Sequence, residues 1–136
     1  MEEKLFYSAP GARTGDVIPK YIDGIYQIFY LKGWKNPEGP DVVHGWHRME
    51  SRDLIHMSEE TPLYIQGGTG DLIFKDGQWH LFACIFPEGK QFVTHYISRD
   101  DSLYHWDYVK EDTFGPDGVI YQGPDWRDPR IVYREK

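Results

Sequence analysis

The polar and apolar positions of residues 70–84 set the pattern for the whole chain. Asp71-Leu72-Ile73-Phe74-Lys75 and Gln78-Trp79-His80-Leu81-Phe82-Ala83-Cys84 are two short, apolar-rich runs joined by Asp76-Gly77. The same layout occurs earlier, where Asp16-Val17-Ile18-Pro19-Lys20-Tyr21-Ile22 and Ile25-Tyr26-Gln27-Ile28-Phe29-Tyr30-Leu31 flank Asp23-Gly24. A third opening stands at Arg127-Asp128-Pro129-Arg130-Ile131-Val132-Tyr133. The leading aspartates fall at 16, 71 and 128, in steps of 55 and 57 residues, and a fixed step of that size marks a repeat architecture.

Asp-Gly between alternating runs predicts a two-residue hairpin, because its turn needs positive φ at both central positions. A second echo follows each hairpin. Trp46-His47-Arg48-Met49-Glu50-Ser51-Arg52-Asp53-Leu54-Ile55-His56-Met57 is matched by His95-Tyr96-Ile97-Ser98-Arg99-Asp100-Asp101-Ser102-Leu103-Tyr104-His105-Trp106. Each copy predicts a third strand, a Ser-Arg-Asp turn and a short fourth strand. No segment keeps a helical period over 11 residues or more. The expected fold is therefore all-β, with four antiparallel strands per unit in the manner of a β-propeller blade. As one partial propeller domain, it would place blade 1 at about 15–66, blade 2 at about 67–109 and the opening strand of a third blade at about 125–136.

Between these units the chain is rich in turn residues. Residues 1–14 form an entry segment; Lys32–Pro40, with Trp34, predicts a long exposed loop; Pro87-Glu88-Gly89-Lys90 predicts a hairpin turn; Lys110–Pro124 predicts an irregular connection. Gln66-Gly67-Gly68-Thr69-Gly70 lacks the Lys-Ser/Thr of a phosphate-binding loop, so its glycines are expected to allow close backbone approach beside a central cavity. A net charge of −7 with no basic cluster argues against nucleic acid. No apolar run reaches the ~20 residues of a membrane-spanning helix. The acidic start, Met1-Glu2-Glu3-Lys4, shows no secretion signal, and the single Cys84 forms no internal disulfide, so a cytoplasmic protein, or one whose signal has been removed, is expected, with Cys84 buried.

Candidate chemistry begins with the repeated aspartates. A residue opening each inner strand points into a shared funnel, and two carboxylates held across a sugar are what retaining glycoside hydrolysis requires. The alternative is that Asp16, Asp71 and Asp128 cap turns and face solvent. No spacing among the six histidines supports zinc, no Gly-x-Ser-x-Gly elbow is present, and no cofactor is expected.

Taken together, Gly15-Asp16-Val17-Ile18-Pro19, Asp23-Gly24, Phe29-Tyr30-Leu31, Gly45-Trp46-His47, Ser51-Arg52-Asp53-Leu54-Ile55-His56 and Arg127-Asp128-Pro129 resemble the family 32 glycoside hydrolases. These are β-fructosidases built on a five-bladed propeller: invertases, inulinases and levanases. The resemblance implies that Asp16 is the nucleophile and Asp128 the transition-state stabiliser, with Arg127 orienting it. Trp46 and Trp34 would line the sugar site as flat apolar walls, with core packing the equal alternative for Trp46 because it stands in a strand; Asp71, from its place in the repeat, is a further candidate for substrate contact, and the partner would be a fructose-containing carbohydrate. The family's Asn-Asp-Pro-Asn-Gly opening is absent, and its acid/base glutamate belongs to the fourth blade, beyond Lys136. The expectation is thus a fragment bearing nucleophile and stabiliser, inactive alone, that joins further blades or forms a homo-oligomer through its unpaired third strand. A non-catalytic sugar-binding or self-associating piece is the alternative.

Overall fold

The structure is a computed structural model, and it describes residues 7–9, 11–33, 44–123 and 125–134. Trp34 and most of the loop expected at Lys32–Pro40 lie outside the described residues. The described chain is all-β apart from one 3-10 turn, and it divides into two units, Met1–Gln66 and Gly67–Lys136.

The first unit is one antiparallel sheet of β1 (Thr14–Ile22), β2 (Ile25–Lys32), β3 (Gly45–Ser51) and β4 (Thr61–Pro62), in that order. Ile22 pairs with Ile25 across Asp23-Gly24, whose φ values are 48° and 82°. The turn thus takes the conformation its sequence predicts. Strict alternation breaks down in β2, where every residue from Gln27 to Lys32 is buried. A central strand has sheet neighbours at both edges, and here both faces are covered as well. One of them carries Ile28, Tyr30 and Met49 with Ala9 from the entry segment, and Tyr7, Tyr26 and Met57 at its margin. The fourth strand forms later than the echo predicts. Leu54–Met57 makes only an isolated bridge between Met57 and Ser51, because Ser51 and Asp53 side-chain oxygens take the N–H groups of Asp53, Leu54, Ile55 and His56 and hold them in a turn.

The second unit repeats the plan with β5 (Gly70–Lys75), β6 (Gln78–Ile85), β7 (Phe92–Ser98) and β8 (Trp106–Phe114). Asp76 and Gly77 close its first hairpin at φ values of 52° and 79°, and the 3-10 turn Pro87–Gly89 closes the next. The repeat extends to backbone detail, since Leu54 and Leu103, each after its Ser-Arg-Asp turn, share left-handed φ values of 63° and 61°. The irregular connection expected from Lys110 is corrected in part. β8 continues to Phe114, since its charged side chains face water while its backbone pairs with β7.

The third inner strand is also corrected: no strand forms over 125–134 among the described residues. Three of its N–H groups are satisfied by side chains instead of a ladder. Trp126 donates to Gln91 Oε1 (2.5 Å), Asp128 to Cys84 Sγ (3.1 Å) and Ile131 to Asp71 Oδ2 (3.2 Å), while Pro129 has no N–H to offer.

The glycine link does bring backbones together. A Cβ on Gly70 would stand 1.9 Å from the Phe82 carbonyl oxygen, and one on Gly67 2.5 Å from that of Cys84. Gly24, by contrast, has open space around it and needs glycine only for its φ. Gly24→Ala is therefore expected to cost about 1 kcal/mol, the left-handed penalty of an L-residue. Gly70→Ala should reach or exceed the ~1–3 kcal/mol of an overpacked core. Chemical denaturation of the two variants checks this order, and equal costs would contradict it.

Candidate functional site

Asp16 sits on a defect in β1. Gly15 pairs with Leu31 and Ile18 with Phe29, so Asp16 and Val17 together oppose the single residue Tyr30. Such a bulge re-aims a side chain, and its first residue is commonly a glycine in left-handed conformation. Here that residue is an aspartate with φ of 45°, and its carboxylate is exposed. Among the described residues no side-chain hydrogen bond of Asp16 accompanies this conformation, and Val17 beside it is exposed too. An apolar cavity of about 360 Å³ opens nearby on this unit, lined by Val17, Pro19, Tyr26, Ile28, Met49 and Leu54 among others, and Asp16 is not in its wall.

Asp71, the equivalent residue of the second unit, has a different environment. It is 3 % exposed. Its Oδ1 accepts from Leu72 N (2.9 Å), its Oδ2 accepts from Ile131 N (3.2 Å), and Arg130 Nε lies 3.5 Å from Oδ2. Asp71 is thus an anchor for the segment that carries Asp128: both oxygens accept from backbone N–H groups, with the Arg130 guanidinium beside one of them. Cys84 is the second anchor. It is fully buried, its thiol pushed up in pKa chiefly by burial, and it accepts from Asp128 N.

Held at these points, Asp128 projects a carboxylate that is 64 % exposed, on a backbone with φ of 58°. Arg127 Nε stands 3.8 Å from Asp128 Oδ2, and its Nη2 lies 3.4 Å from Asp125 Oδ1. Arg127 therefore balances charge between two exposed carboxylates without a close hydrogen bond to either. Of the six residues singled out in the sequence, the structure brings together Asp71, Arg127 and Asp128 in one unit and sets Asp16 and Trp46 in the other.

Trp46 takes the core-packing alternative. It is 0 % exposed and lies in β3, where its backbone N–H donates to Ile65 O and its carbonyl accepts from Leu63 N. A buried indole offers no wall to a sugar.

Sequence reasoning missed a polar network in the first unit. Glu60 accepts hydrogen bonds from Lys32, from Tyr30 and from Tyr7, the last at 2.9 Å. Burial pushes the Glu60 carboxyl up, but the hydrogen bonds from Lys32, Tyr30 and Tyr7 outweigh it and hold the group below its ordinary value. Tyr30 is driven up by burial and by Glu60, and nearby His47 is driven down by burial. The signal was present in the sequence: Lys32 ends an otherwise apolar run, and a buried ammonium requires a carboxylate.

Compared with protein-family models, with curated proteins and with solved structures, the chain matches none.

Two outcomes follow for this unit. Removing charge at Glu60 strands the buried Lys32, so Glu60→Gln should cost about 3 kcal/mol in a denaturant titration. Acid should also destabilise the fold. Below about 6.5 the unfolded chain takes up a proton at His47 that the folded one resists, and below about 4.5 the same holds at Glu60. The His47 contribution is therefore complete above 6.5 and lost as pH falls through the lowered folded value. In melting temperatures recorded from pH 8 to pH 4, His47→Gln should flatten the upper part of the decline, and a slope unchanged by the substitution would contradict the assignment.

Proposed function

We propose that the chain is part of a β-fructosidase-like glycoside hydrolase of the retaining type, with Asp16 as nucleophile and Asp128 as transition-state stabiliser. The observation that carries this reading is the shared state of the two residues. Both open a repeat, both keep an exposed carboxylate, and both hold a left-handed φ that aspartate adopts at a cost. Strained non-glycine residues persist where function requires the side chain. Asp71 stands at the same place in the repeat, has no positive φ, and is buried as an anchor.

In the proposed fold the two sheets are successive blades of a propeller. The course of residues 128–133 supports it: Ile131 meets Asp71, and the Tyr133 ring lies 5.8 Å from Lys75 Nζ, so the segment runs in the same direction as β5. Inner strands of neighbouring blades run side by side in that way around a central channel. The partner in this reading is a fructose-containing glycoside.

Chemically, the Asp16 carboxylate would attack the anomeric carbon and expel the leaving-group oxygen, forming a glycosyl ester that water then hydrolyses. Asp128 would accept hydrogen bonds from sugar hydroxyls that strengthen as the ring distorts. The proton for the leaving group comes from a third group, which these two do not supply; general acid catalysis is worth about 10²–10⁴-fold.

Asp16→Gly separates function from fold. Relief of a strained φ is worth ~1–3 kcal/mol, offset by ~0.5–1 kcal/mol of glycine entropy, so stability should hold or rise. Binding of a cationic iminosugar that mimics the charged, distorted ring, measured by titration calorimetry, should weaken markedly in Asp128→Asn and binding of the ground-state β-fructoside only modestly, while the melting temperature of both variants stays within a few degrees of the parent. Marked destabilisation by either substitution would return both residues to a turn-capping role, and equal effects of Asp128→Asn on the two ligands would remove its assignment.

A further inference from the structure

Three strands of the second unit bring together a line of titratable groups that the proposed function does not use. His95 on β7 places Nδ1 2.6 Å from Asp112 Oδ2 on β8 and Nε2 2.9 Å from His80 Nδ1 on β6. The two rings stand 17° from parallel with centroids 5.1 Å apart, so the facing nitrogens meet head-on, in the geometry of one N–H···N hydrogen bond. Asp112 reaches His95 through an irregularity in β8: Val93 pairs with Phe114 and His95 with Val109, which leaves Lys110–Thr113 opposite Thr94 alone. His95 is 5 % exposed and has the Phe82 ring stacked on it at 4.3 Å between centroids, whereas His80 is only partly buried.

These two contacts fix where the protons sit. An ionised carboxylate only accepts, so His95 Nδ1–H donates to Asp112, and the neutral ring presents a lone pair at Nε2. His80 then donates Nδ1–H to that lone pair and keeps its own lone pair at Nε2, which makes no hydrogen bond among the described residues. A proton arriving at His80 Nε2 lets the Nδ1 proton cross the 2.9 Å to His95 Nε2. His80 ends neutral with its proton on Nε2, and His95 ends as an imidazolium whose Nδ1–H still lies on Asp112. Burial opposes a charge on His95, but its contact with Asp112 becomes a charge-assisted hydrogen bond, and Phe82 presents its ring face to the cation. A second proton has no such place, because both facing nitrogens would then carry hydrogen and the bond between the rings would break.

The other carboxylates in the neighbouring rows are already engaged. Asp107, in the row of His80, accepts from Arg99 Nε (2.7 Å). Asp71, in the row of His95, accepts from Leu72 N and Ile131 N beside Arg130. Asp76, at the turn before His80, stands 2.7 Å from Lys75 Nζ. Lys110 and Glu111, which precede Asp112 in the irregular stretch, carry opposite signs. Asp112 is thus the carboxylate in contact with the pair. We propose that Asp112, His95 and His80 form a one-proton relay, in which His80 is the entry port, His95 holds the charge and Asp112 is its counter-ion. The relay makes the tie between these strands pH-sensitive: one proton turns the His95–Asp112 contact into an ion pair, and a second severs the link to β6.

Side-chain ¹⁵N NMR of histidine-labelled protein, titrated from about pH 8.5 to about pH 4.5 to span the range in which histidine changes charge, tests this. At the alkaline end both His80 and His95 are expected as Nδ1–H tautomers. On acidification the nitrogens of both rings should shift with one shared midpoint, His95 gaining its second N–H while His80 changes tautomer. Asp112→Asn keeps an acceptor oxygen for His95 and removes the counter-charge, so there the second N–H should appear on His80 instead. Far-UV circular dichroism shows whether Asp112→Asn folds; if it does not, the tautomers and midpoints of the parent decide the question. An Nε2–H tautomer of His80 at the alkaline end, separate midpoints for the two rings, or a charge that stays on His95 in folded Asp112→Asn would overturn the proposal.

Discussion

Both sheets depend on reversing the chain in two residues. A two-residue turn whose twist matches that of the strands requires positive φ at both positions, and Asp23-Gly24 and Asp76-Gly77 meet that requirement. Once the turn is fixed, the register is fixed: Ile22 faces Ile25 and Lys75 faces Gln78, and every later pair follows. Fixed register in turn makes the excess residue at Gly15–Ile18 a bulge at one place only, opposite Tyr30, and so sets where the Asp16 carboxylate emerges. The position of the Asp16 carboxylate is in this way decided at a turn several residues further along the chain.

The second constraint is the cost of placing charge in a covered sheet. Lys32 and Arg48 are buried in β2 and β3, and the sheet accommodates them by partnering each with a carboxylate, Glu60 and Glu50. The second unit buries an imidazole instead, His95 being stacked on Phe82 and tied to Asp112. Two sheets with the same strand plan therefore carry different polar interiors, and with them different chemistry.

The sequence showed clearly whatever depends on neighbours along the chain. Hairpins, four strands per unit and the Ser-Arg-Asp turns were all legible, because each rests on a few adjacent residues. Equivalence in the repeat did not carry over to environment. Asp16, Asp71 and Asp128 look alike in sequence, yet Asp71 is buried because the backbone of Ile131, 60 residues away, lies against it. Trp46 left a sugar platform and core packing both open in the sequence, and the second holds because the alternation that would expose one face fails where strands are covered on both sides. The His80–His95–Asp112 line was invisible for a further reason: it joins three strands and relies on a β8 irregularity that no local pattern announces.

The central claim is that Asp16 and Asp128 are alike in function while Asp71, their counterpart in the repeat, is structural. Carboxylate-resolved ¹³C NMR during a titration with a β-fructoside addresses it directly. The account predicts that the side-chain carbonyl resonances of Asp16 and Asp128 shift saturably while that of Asp71 stays in place. Shifts confined to Asp71, or none at Asp16 and Asp128, would contradict it.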